Sequence, residues 1–133
     1  MKTSAIRHLS FYPFVQPLAR NEARFLMESA YQDVSSAEIV WWKRTEPDHR
    51  HTIPMEIRYN DHTKDQWSAA VVFPEEAHYI KYCFRLTDNE GNTLWLNSIG
   101  FHDSFSLNGS YEILQINHTD VISVPDWTQG CIY

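Results

Sequence analysis

The stretch "YIKYCFRLT", Tyr79 to Thr87, constrains this chain more than any other. Ile80, Tyr82, Phe84 and Leu86 alternate with Tyr79, Lys81, Cys83, Arg85 and Thr87. A helix would scatter the first four around its circumference. An extended strand sets them in one row facing a core, because its side-chain period is two. "MEIRYN" repeats the alternation, with Met55, Ile57 and Tyr59 on one face and Glu56, Arg58 and Asn60 on the other. "ARFLMES", "AEIVWWKR", "QWSAAVVF", "TLWLNSIGF" and "YEILQIN" are rich in β-branched or aromatic residues and read as further strands.

Turn chemistry separates these runs. "DNEGN", Asp88 to Asn92, is a hairpin loop in which Gly91 is free to take a positive φ. "TEPDHRH" and "NDHTKDQ" are polar connectors. Strands of this length and spacing predict an all-β fold, an antiparallel sandwich of about seven or eight strands. A helix fits only for a turn or so after Pro125. The chain has no internal repeat and no low-complexity segment.

Length and charge narrow the function. With 133 residues there is one domain's worth of chain. A net charge of −6, with 11 scattered Lys and Arg, offers no basic stripe for a nucleic-acid backbone. No apolar run reaches the ~20 residues of a membrane helix, and "MKTSAIRHLSFYPF" lacks a signal peptide's apolar core, which predicts a cytoplasmic protein without membrane attachment. Cys83 and Cys131 are too few and too distant for a disulfide framework or a zinc site, and read as free thiols. The sequons at Asn108 and Asn117 read as chance in such a setting.

No catalytic constellation stands out. Asp61, Asp65, Glu75 and Glu76 cluster in connectors and read as solvated charge rather than the paired carboxylates of a glycosidase. No nucleophile elbow, phosphate loop or H-E-x-x-H is present. His49 and His51 flank Arg50, whose charge opposes a metal cation, and the pair reads as part of a solvated loop. No catalytic residue, metal ligand or cofactor is expected.

The tryptophans carry more information. Trp41 and Trp42 are adjacent on a strand, so their rings leave opposite faces. The outer one needs a loop, a partner or a ligand to cover it. Trp67 and Trp95 also sit near polar connectors. Flat amphipathic rings beside Asn, Asp and Lys donors suit a sugar, whose C–H face stacks while its hydroxyls find hydrogen bonds. Trp41, Trp42, Trp67 and Trp95 are therefore the candidate carbohydrate-binding set, against the alternative that they fill a core. The outward member of the pair is expected to matter more for binding or association than for stability.

Ordered motifs carry a resemblance. Ala5-Ile6-Arg7-His8 opens the chain, Phe14-Val15-Gln16-Pro17 follows, and Tyr82, Phe84, Leu86, Gly100 and Phe101 mark the central block. Asp120, Val121, Pro125, Asp126, Trp127 and Tyr133 close it. In this order they resemble the N-terminal domain of cyclomaltodextrinases, neopullulanases and maltogenic amylases, the family-34 type of carbohydrate-binding module. The resemblance implies an immunoglobulin-like β-sandwich over residues 1–123, with residues 124–133 leading into a (β/α)₈ barrel of glycoside hydrolase family 13. Such a barrel takes ~250 residues, and its catalytic acids would lie outside this chain. Gly130 to Tyr133, lacking the barrel, are expected to pack poorly, and Trp127 becomes an interdomain residue.

The resemblance further implies binding to a maltodextrin- or cyclodextrin-like α-glucan and a homodimer in which this module walls the partner subunit's active site. The loop that does so in the family often reads Tyr-x-Asp-x-Tyr. The matching positions here are Trp41 to Thr45, with Lys43 replacing the acid and Thr45 the second aromatic. Lys43, Arg44 and Thr45 are thus the expected partner-facing loop, with altered chemistry. A structural dimerisation domain without sugar affinity is the alternative.

Overall fold

The computed structural model describes residues 1–10, 13–19, 21–73 and 79–114. A 3₁₀ turn (Thr3–Ala5) precedes ten strands: β1 (Val15–Ala19), β2 (Glu22–Ala30), β3 (Val34–Lys43), β4 (His51–Pro54), β5 (Glu56–Asn60), β6 (Lys64–Val72), β7 (Tyr79–Asp88), β8 (Thr93–Asn97), β9 (Gly100–His102) and β10 (Tyr111–Leu114). They form two antiparallel sheets. One runs β1-β2-β6-β5; the other runs β4-β3-β7-β8-β9, with β10 beside the first half of β7. The fold is the all-β sandwich expected from the periodicity, with more strands. "TLWLNSIGF" splits into β8 and β9 at a turn, while β1 and β4 each contain a proline, which the strand pattern penalises.

The core lies between the sheets. Ile80, Tyr82, Phe84 and Leu86 of β7 are all fully buried and face Phe25 and Met27 of β2 and Val71 of β6. Each such side chain removed from water contributes roughly 2 kcal/mol, so the alternation in β7 supplies much of what joins the sheets. The β7–β8 hairpin turns as expected. Gly91 has φ +86°, and the Asp88 carboxylate accepts from the backbone N–H of Glu90 and Asn92, each at 2.9 Å. Those hydrogen bonds, that from Asn92 foremost, lower the Asp88 pKa.

Two expectations need correction. Met55 is buried, but Ile57 and Tyr59 are 46% and 56% exposed, so "MEIRYN" has no buried row of three. β5 is an edge strand with a bulge between Ile57 and Tyr59. Asp65 is no loop charge: it is 1% exposed within β6 and accepts the Gln32 N–H at 2.9 Å, holding a residue with φ +56°. Glu75, Glu76, Asn117, Trp127, the helical turn after Pro125, the boundary at 123/124 and the packing of Gly130 to Tyr133 lie outside the described residues.

Candidate functional site

The tryptophan pair sits on β3 and does face both ways. Trp41, opposite Tyr82 of β7 and His51 of β4, points into the core and is 4% exposed. Its ring stacks on His51 with centroids 4.3 Å apart and planes 22° apart. Trp42 leaves the outer face of the six-stranded sheet, yet it is only 1% exposed. Phe105 covers it, at 5.5 Å and 71°, and also meets Trp95 at 5.4 Å. Val40, Cys83 and Trp95 complete this second small core. The Arg50 guanidinium lies 4.5 Å above the Phe105 ring, roofing the cluster from the β3–β4 connection.

Trp67, 4% exposed on the inner face of β6, donates its indole N–H to Ser29 Oγ at 3.1 Å. Trp41, Trp42 and Trp67 therefore offer no open ring face to a sugar, because each is packed on both sides. Trp95 alone of the four is half-buried rather than buried. The structure does not bring the four together: they divide between the main core and the outer cluster. Since both members of the pair are packed, neither is the dispensable outward ring expected above.

The Lys43 to Thr45 segment lies at the end of β3, beyond the Trp pair. Lys43 pairs with Glu46 at 3.3 Å. Arg44 is anchored: its N–H donates to the Tyr79 carbonyl at 3.0 Å, its guanidinium sits 4.0 Å over the Tyr79 ring, and Glu112 of β10 lies 3.6 Å away. Thr45 is exposed. The result is an outward guanidinium held against an aromatic ring, a group able to donate several hydrogen bonds at little entropic cost. Tyr79 and Glu112 were not foreseen, because their neighbourhood to Arg44 arises only from strand pairing. Phe105 carried a signal: it is a lone aromatic in the polar run "HDSFSLNGS". Among the described residues no three His, Cys, Asp or Glu side chains converge as metal ligands would, and no helix is long and apolar enough to cross a membrane.

Comparison with known proteins fits this architecture. Residues 1–118 match the profile of the α-amylase N-terminal Ig-like domain. This chain belongs to that family. It is 24% identical over 136 aligned positions to the cyclomaltodextrinase of Thermoanaerobacter pseudethanolicus, an alignment covering 99% of this chain and 23% of that enzyme. The chain thus spans about a quarter of the length of this curated relative. A solved cyclomaltodextrinase superposes with a TM-score of 0.82 at 20% identity, over 90% of this chain and 21% of the other. The type III pullulan hydrolase from Thermococcus kodakarensis gives 0.62 at 12% identity, over 84% and 17%. The carbohydrate-binding module of the muscle glycogen-targeting subunit of Protein Phosphatase-1 gives 0.56 at 12% identity, over 77% and 73%. These likenesses establish an immunoglobulin-like sandwich.

Proposed function

We propose that this chain is the non-catalytic N-terminal module of an α-glucan hydrolase of the cyclomaltodextrinase or neopullulanase type. It contributes glucan binding, and it packs against a second subunit so as to shape that subunit's active site. The observation that carries this reading is the family match over residues 1–118, to a domain whose relative is about four times as long as this chain. The catalytic acids would then belong to the barrel in cis, and the substrate would be a maltodextrin or cyclodextrin. Lys43, Arg44 and Thr45 are the proposed partner-facing loop, for which Arg44 on Tyr79 supplies an ordered, exposed contact group. Trp95, half-buried, is what remains of the tryptophan set as a direct sugar contact.

The burial of Trp41, Trp42 and Trp67 favours a second reading, in which the module serves assembly alone and has no sugar affinity. Isothermal titration of this chain with β-cyclodextrin and maltohexaose separates the two. Heat of binding at low-millimolar sugar supports the first. Its absence sinks autonomous glucan binding and leaves the assembly role.

A further inference from the structure

The recess on the outer face of the four-stranded sheet has a geometry set by one irregularity. β5 starts with Glu56 opposite Ser68 and Ile57 opposite Trp67, then slips, so that Tyr59 stands opposite Gln66 and Asn60 opposite Asp65. Arg58 is the extra residue of this β-bulge. Trp67 points into the core, and strict alternation would turn Tyr59 the same way as Ile57. The bulge turns it outward instead, onto the face of Gln66, which is how bulges re-aim side chains. Glu28 of β2 is opposite Gln66 on the other side. Glu28, Gln66 and Tyr59 thus form one row across three strands, about 10 Å wide at the usual strand spacing.

Beside this row is an open recess of about 460 Å³, within the ~300–1,000 Å³ usual for small-molecule clefts. Phe14 and Leu26, both buried, line it, and Tyr59 presents a ring more than half exposed. The Gln16 amide is oriented by a 3.1 Å hydrogen bond to the Pro13 carbonyl, and Arg58 adds a guanidinium. The charges are mixed: Lys64 holds the Glu28 carboxylate at 3.2 Å, and the Arg58 guanidinium also lines the recess. A neutral polyol fits, with C–H faces for the ring and hydroxyls for two amides and a guanidinium.

We propose, resting on the glucan-binding reading above, that this recess is an oligosaccharide subsite with Tyr59 as its stacking platform and Gln16, Gln66 and Arg58 as its hydrogen-bonding groups. Among the described residues, no tryptophan lines it. The test is a nuclear magnetic resonance titration of the chain with maltohexaose, following backbone amides and the Gln16 and Gln66 side-chain amides. Shifts should concentrate at those two side chains and at Leu26, Arg58 and Tyr59. Tyr59→Ala should weaken binding about tenfold with Tm unchanged, and Tyr59→Trp should restore it. Gln66→Ala gives a second loss that does not depend on the aromatic. Binding with shifts confined to Trp95 or to Lys43–Thr45, unaffected by both variants, overturns the subsite and keeps the glucan reading. No shift anywhere at low-millimolar sugar overturns both.

Discussion

The Tyr82 hydroxyl and His8 Nε2 lie 2.7 Å apart, and the same imidazole meets the Leu26 carbonyl through Nδ1 at 2.7 Å. A carbonyl only accepts, so Nδ1 carries the proton and Nε2 accepts from the Tyr82 O–H. Leu26 belongs to β2 and Tyr82 to β7, so this one neutral ring ties the two sheets through a pair of hydrogen bonds. Phe14, Tyr82, Phe84 and Tyr111 pack edge-on around it.

Burial lowers the His8 pKa from 6.5 to about 4, against a smaller opposing effect of the Leu26 hydrogen bond. The unfolded chain, titrating near 6.5, therefore takes up the proton first. Stability is complete above pH 6.5 and is lost as pH falls from there to about 4, by roughly 3 kcal/mol for a shift of that size. Urea unfolding at intervals across this range should give that slope, and His8→Phe should flatten it. Asp61 and Asp88, whose pKa values are lowered from 3.8, lose their contribution only at more acid pH. The two effects are thus separable. An unaltered slope in His8→Phe would assign the transition to another group.

Trp41 and Trp42 should both prove structural. Each is packed on both faces, so Trp41→Ala and Trp42→Ala should each cost about 3–5 kcal/mol in urea unfolding. Phe105→Ala should cost less, since Phe105 is itself partly exposed, but it should uncover Trp42. Iodide quenching of tryptophan fluorescence would register the uncovering. A Trp42→Ala domain of wild-type stability would contradict the second core.

How far the sequence alone reaches is visible in β7 and β5. In β7 every inward residue was legible from alternation, because the strand is central and one face must be dry. In β5 the same alternation misled, because an edge strand tolerates a bulge and its side chains need not be buried. The tryptophan pair shows the same limit in another form. Adjacency fixed the opposite directions of the two rings. What lies over the outer one depended on Phe105, sixty-odd positions later, a long-range contact that no local pattern encodes. The family motifs anticipated the sandwich, whereas the recess at Tyr59 follows from register, which sequence periodicity does not report.

Gly91 tests the hairpin. Its φ of +86° is the left-handed conformation, and a Cβ built there meets open space. Only backbone strain then opposes substitution. Gly91→Ala should cost about 1 kcal/mol, and Gly91→Asn less, since asparagine tolerates this region better. Thermal unfolding would read the difference. Equal losses for both would mean that the loop rearranges.

Cys83 lies under Trp42 and is a hydrophobe in practice. Burial pushes its thiol up to about 12, with Arg50 offsetting this slightly. At neutral pH the group is therefore a thiol and not the reactive thiolate. In a Cys131→Ser background, Ellman's reagent should react with Cys83 only as fast as the domain opens, and promptly in urea. Phe105→Ala, which strips the cover from this cluster, should accelerate the reaction under native conditions. Immediate labelling of the folded chain would mean that the outer face of β7 is open, and the packing assigned to Trp42 would fall with it.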